Sequence, residues 1–131
     1  MANPKERYSD NVEGQFFVDR TCINCDTCRQ LAPQIFSEAS DHSFVYNQPE
    51  TKDQERAATR ALLCCPTGSI GTIGPNQAKQ TMNELPLELV EGVYYCGFNS
   101  PKSYGGNSYF IAHEDGNWLI DSPKFLPHLV K

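Results

Sequence analysis

The chain opens on a polar stretch, residues 1 to about 14, with no hydrophobic period, and this stretch is expected to be disordered. Apolar residues first gather in GQFFVD (14–19), which reads as a short strand. RQLAPQIF (29–36) predicts a short helix, its first turn limited by Pro33. HSFVYNQ (42–48) predicts a second strand that stops at Pro49. The clearest helix begins at TKDQERAATRALLCCP. Thr51 stands at its N-cap with Gln54 three positions on, which makes a capping box. Asp53 and Glu55 occupy the first turn, where the helix dipole favours negative charge. Ala57, Ala58, Ala61 and Leu62 form one apolar stripe, and Pro66 ends the helix. GSIGTI (68–73) predicts a third strand.

From residue 74 the texture changes. GPNQAKQTMNELP (74–86) is polar, bracketed by prolines, and reads as a linker. LELVEGVYYCGF, NSYFIAHE and NWLIDS follow as β-rich segments, and Asp115-Gly116 between the last two is a hairpin signal. The expected organisation is therefore α+β. A disordered N-terminus (1–14) leads into a small mixed unit (15–73), a linker (74–86) and a β-rich segment (87–131). SYFIA and NWLID are apolar on both faces, which suits strands covered on both sides. No helical segment remains to cover them. They are expected to pack on the first unit, to associate with another chain, or to belong to the N-terminal portion of a longer polypeptide, the last being preferred.

Composition narrows the function classes. The chain has 131 residues and a formal net charge of −5. Phosphate binding relies on clustered Lys and Arg, so the acidic balance argues against nucleic acid as the main partner, whereas a basic protein surface suits it. No apolar run is long enough to span a bilayer, and the polar start lacks the apolar core of a secretory signal, which makes the cytoplasm the expected location. Six cysteines then require an explanation. A disulfide framework belongs to exported proteins, and no export signal is present.

The cysteines are not scattered. CINCDTC (22–28) sets three of them at a strict three-residue interval, and a remote CCP follows the long helix. Four thiolates hold a cubane iron–sulfur cluster when a C-x2-C-x2-C loop wraps one side and a distant Cys-Pro closes the cage. Zinc is the rival reading, but a zinc knuckle uses two cysteines and leaves the third unexplained. A thioredoxin-like dithiol would need its C-x-x-C to open a helix in a larger α/β unit. Phe16, Phe17, Phe36, Phe44 and Tyr46 are expected to form core around such a cluster.

CINCDTC, followed after a helix by CPTGSI, resembles the bacterial-type ferredoxins over residues 15–73. The resemblance implies a ferredoxin-like iron–sulfur domain with Cys22, Cys25, Cys28 and Cys65 as the ligands of one [4Fe-4S] cluster. Two-cluster members carry a further Cys-Pro after the first run. Here Ala32-Pro33 stands in that place, so a single cluster is implied, with a potential towards the negative end of the class. Cys65, rather than its neighbour Cys64, is expected at the fourth corner. It falls near the centre of the apolar stripe and directly precedes Pro66.

The later strands, with GGNSYFI, the Asp-Gly hairpin and LIDSP, resemble the opening strands of metallo-β-lactamase-fold hydrolases over residues 88–126. That family binds its metals through an H-x-H-x-D-H run. This chain has only His42, His113 and His128 and no H-x-H, so no hydrolytic site is expected, and His113 reads as a strand-end surface residue. The expected function is one-electron transfer with redox partner proteins, not enzymatic catalysis, with the C-terminal strands open to self-association. The alternative is an accessory redox or docking domain of a longer metallo-β-lactamase-fold hydrolase.

Overall fold

The computed structural model describes residues 2–97 and 107–121. Strand β1 (Phe16–Val18) pairs antiparallel with β4 (Ile70–Thr72), so the two ends of the first unit close on each other. Between them run α1 (Thr27–Leu31), the hairpin of β2 (Phe36–Glu38) and β3 (Ser43–Val45), and α2 (Lys52–Cys64). The result is a mixed α/β arrangement with antiparallel sheets, compatible with a small ferredoxin-type domain. Among the described residues, no helix is long and apolar enough to cross a membrane.

The core follows from the sequence pattern. Phe16, Val18, Ile35, Phe36, Val45 and Ile70 pack against Ala58 and Ala61 of α2. The small alanines let the helix lie close to the strands. Thr51 and Gln54 form the expected capping box, and Cys65 caps the other end with extended backbone (φ −66°, ψ 116°), as a residue before proline should. Phe16, Phe17 and Phe36 are buried, but Tyr46 is 36% exposed, its hydroxyl donating to the Pro33 carbonyl, so it is a rim residue and not core. Gly71 is a close-approach position. A Cβ there would meet the Phe17 ring at 2.5 Å.

The structure departs from the sequence reading in several places. The helix near Pro33 forms earlier, over Thr27–Leu31, because proline biases Ala32 out of helical geometry (φ −143°), and the following residues enter the β2–β3 hairpin. The N-terminal stretch, expected to be disordered, makes local structure and contacts with the first unit. Pro4–Glu6 make a 3₁₀ turn, the Tyr8 N–H donates to the Val18 carbonyl, and Arg7 and Asp19 form a β-bridge. Asn11, 6% exposed, joins three backbone segments. Its amide donates to the Tyr8 and Val18 carbonyls, and its Oδ1 accepts from the Val18 and Val45 N–H groups. The edge of a two-stranded sheet needs such partners for its polar backbone.

Residues 74–86 are likewise no free linker. Helix α3 (Ala78–Thr81) and a 3₁₀ turn (Met82–Glu84) fold back on α2, where Glu84 pairs with Arg56 and Arg60. Beyond them β5 (Leu87–Val90), β6 (Val93–Tyr95), β7 (Tyr109–Ile111) and β8 (Trp118–Ile120) make a four-stranded antiparallel meander in that order. The meander is unevenly covered. Tyr95 is buried, whereas all three residues of β8 are exposed.

Candidate iron–sulfur site

The loop after β1 carries Cys22 and Cys25, and α1 carries Cys28. Two non-glycine residues flank Cys25 with left-handed backbone, Asn24 (φ 54°) and Asp26 (φ 68°). Asn and Asp tolerate this geometry better than other side chains. The two reversals bend the loop so that Cys22, Cys25 and Cys28 border one pocket. Arg29 then ties the loop down. Its Nε donates to Asp26 Oδ1 (2.6 Å), and one terminal nitrogen donates to Asn24 Oδ1 (2.6 Å) and to Ser43 Oγ of β3 (2.9 Å). The Gln30 amide, and after it the Arg29 guanidinium, hold the Asp26 carboxyl below the usual carboxylate range.

Cys22, Cys25, Cys28 and Cys65 line one pocket, with Val18, Ile23 and Ile70 as apolar walls and Thr27, Ser43, Thr67 and Ser69 between them. The pocket is narrow and partly open to solvent. Cys28 is buried, Cys22 and Cys65 are half-buried, and Cys25 is exposed at the loop tip. Burial pushes the Cys28 thiol up to about 11, with the Ser43 hydrogen bond acting the other way. A metal bound there would replace that proton, since a coordinating thiol is deprotonated.

The lining of this pocket contains four thiols and no histidine or carboxylate, a donor set that suits an iron–sulfur cluster held by Cys thiolates. Polar groups also lie close to two of the sulfurs. The Ser69 N–H donates to Cys65 Sγ at 3.3 Å, Thr67 Oγ1 lies 3.7 Å from the same sulfur, and Thr27 Oγ1 lies 3.5 Å from Cys25 Sγ.

The remaining cysteines lie elsewhere. None of the six is in a disulfide. Cys64 is buried on another side of the helix end, within hydrogen-bonding reach of the Tyr95 phenol, and burial raises its thiol to about 11. Cys96 is buried beside β6. His42 is buried and stacked on Tyr8, with its ring nitrogens 2.7 Å and 3.0 Å from Asp41 and Asp10. His113 is exposed at the end of β7, and His128 lies outside the described residues.

Residues 18–72 match the family model of the 4Fe-4S single cluster domain of Ferredoxin I. The matched ferredoxin segment runs from the end of β1 to the end of β4 and contains all four pocket cysteines. It spans a little under half of the chain. No curated protein and no solved structure matches the chain. The resemblance of residues 88–126 to metallo-β-lactamase-fold hydrolases finds no support in these comparisons, and its parts at 98–106 and 122–126 lie outside the described residues.

Sequence reasoning missed Arg29, Ser43, Asp19 and Asn107 around this site. Asn24 and Asp26 carried a signal in their tolerance of left-handed backbone. Arg29 carried none, because its partners are selected by the folded hairpin. Asn107 donates to Thr27 Oγ1 (3.4 Å) and accepts from the Tyr95 hydroxyl (2.9 Å), which links the meander to the cysteine loop.

Proposed function

We propose that Cys22, Cys25, Cys28 and Cys65 hold one [4Fe-4S] cluster and that the chain is an electron carrier between redox proteins. The observation that carries this reading is the meeting of those four thiols, and not Cys64 or Cys96, at one pocket inside the ferredoxin-type segment. When bound, the cluster supplies reversible one-electron chemistry with little change of geometry. The protein does the rest. Arg29 and the two left-handed residues hold the loop thiols in place before and after the electron moves. Val18 and Ile70 keep water from the inner side, which favours a stable potential. Cys25 and Ile23, which is 59% exposed, form the edge nearest solvent, where a partner approaches closest. The net charge of −5 suits a partner with a basic surface.

Anaerobically purified protein is expected to be brown, with about four irons and four sulfides per chain. On reduction it should give the electron paramagnetic resonance signal of one four-iron cluster. About one zinc per chain without sulfide would overturn the reading.

A further inference from the structure

The hydroxyls beside Cys65 form a chain whose direction is set at its far end. Asp19 is 2% exposed. Its Oδ2 accepts the Asn3 N–H (2.7 Å), and its Oδ1 accepts both the N–H (3.0 Å) and the O–H (2.5 Å) of Thr21. Thr21 has a single hydroxyl hydrogen, and it is committed to Asp19. The 2.7 Å contact between Thr21 Oγ1 and Ser69 Oγ is therefore donated by Ser69. Ser69 in turn has no hydroxyl hydrogen left, so its 2.6 Å contact with Thr67 is donated by Thr67. Thr67 Oγ1 lies 3.7 Å from Cys65 Sγ with its hydrogen turned away and a lone pair towards the sulfur. In this arrangement the hydrogen bond that Cys65 Sγ accepts comes from the Ser69 backbone N–H.

We propose that Asp19 tunes the reduction potential at the Cys65 corner through this one-directional chain, by keeping the Thr67 hydroxyl hydrogen turned away from the sulfur; this rests on Cys65 being a cluster ligand. A donor on a ligating sulfur draws off negative charge and makes the reduced cluster easier to reach. Withholding the Thr67 hydroxyl keeps the potential low. If the chain is cut between Asp19 and Thr67, the Thr67 hydroxyl is free to turn to the sulfur, and the potential rises.

Ser69→Ala cuts the chain while leaving the Asp19 charge and the residue-69 N–H in place. In redox titrations of the cluster-loaded protein, this variant should favour the reduced state about tenfold over the native chain, about 59 mV for one electron. The same substitution made in a Thr67→Val background should produce no such shift relative to Thr67→Val alone, because the hydroxyl that would turn is gone. Asp19→Asn is the second route. Its amide group can donate to Thr21 and reverse the chain, so it should also move the potential upward, and by less when residue 67 is Val. A loaded Ser69→Ala protein that titrates with the native one overturns the proposal, as does a shift that persists undiminished in the Thr67→Val background. Iron and sulfide counts separate the two levels. A native chain without about four irons removes the ligand assignment and the proposal with it, whereas fully loaded variants with unshifted potentials remove the hydroxyl chain alone.

Discussion

Cys64 and Cys65 are adjacent thiols with opposite surroundings. Cys65 stands where the helix has ended, and its sulfur meets the Ser69 N–H and the three loop cysteines. Cys64 is the last helical residue and turns to Tyr95. Cys65→Ser is expected to lose or destabilise the cluster, and Cys64→Ser to keep near-normal iron content by colorimetric assay. The reverse result would reassign the fourth corner. Arg29 offers a second test on this scale. Its side chain is 15% exposed and bridges Asn24, Asp26 and Ser43. Hydrogen bonds to a charged group contribute roughly 1.5–3 kcal/mol, so Arg29→Ala should lower stability by about that much in denaturant unfolding and speed cluster loss to a chelator. Lys cannot reproduce the planar fork, and Arg29→Lys should recover little. Native-like chelation kinetics in Arg29→Ala would show that the loop holds its shape without the clamp.

Helix α2 is the element on which the small domain is assembled. One face packs Ala58 and Ala61 against the strands, its C-terminus presents Cys65, and Arg56 and Arg60 receive the returning segment. Glu84 lies 2.5 Å from Arg56 Nε and 2.7 Å from an Arg60 terminal nitrogen. Thr81, 1% exposed, is buried beside it in sequence. Surface ion pairs contribute little singly, about 0–1 kcal/mol, but one carboxylate shared by two guanidiniums makes a small network. Glu84→Ala is therefore expected to cost about 1 kcal/mol of global stability and to raise hydrogen exchange selectively over residues 78–84. Unchanged exchange there would mean that packing at Thr81, not the ion pairs, holds the segment.

At the scale of the whole molecule, the meander is unevenly covered. Register places Leu87, Tyr95, Tyr109 and Ile120 in one cross-strand row and Val90, Val93, Ile111 and Trp118 in another on the same face, with Tyr94, Phe110 and Leu119 opposite. Burial is greatest at Tyr95 and falls away to Trp118, which is 67% exposed. A contiguous apolar face of this kind attracts hydrophobic probes or another protein surface. The protein is expected to bind a hydrophobic dye or to self-associate through these strands, and Trp118→Lys should weaken both by fluorescence and by sedimentation. A strictly monomeric protein that binds no dye would show that the face is covered in solution.

The cysteine pattern and the local elements of this protein were legible in the sequence. The three-residue interval of Cys22, Cys25 and Cys28, the Cys65-Pro66 step, the Thr51–Gln54 cap and the apolar stripe of α2 are local features, encoded within a few residues by period and backbone stereochemistry. The strands at 16–18 and 70–72 were readable too, but not that they pair with each other across the whole domain. Three-residue strands such as β2 are too short to show a period. The order of the N-terminus, the fold-back of residues 78–84, the Arg29 clamp and the Asp19–Thr21–Ser69–Thr67 chain belong to the tertiary structure alone. Each joins polar groups far apart along the chain. Their partners are chosen by which buried donors and acceptors the packed core brings within reach, and no local pattern carries that information.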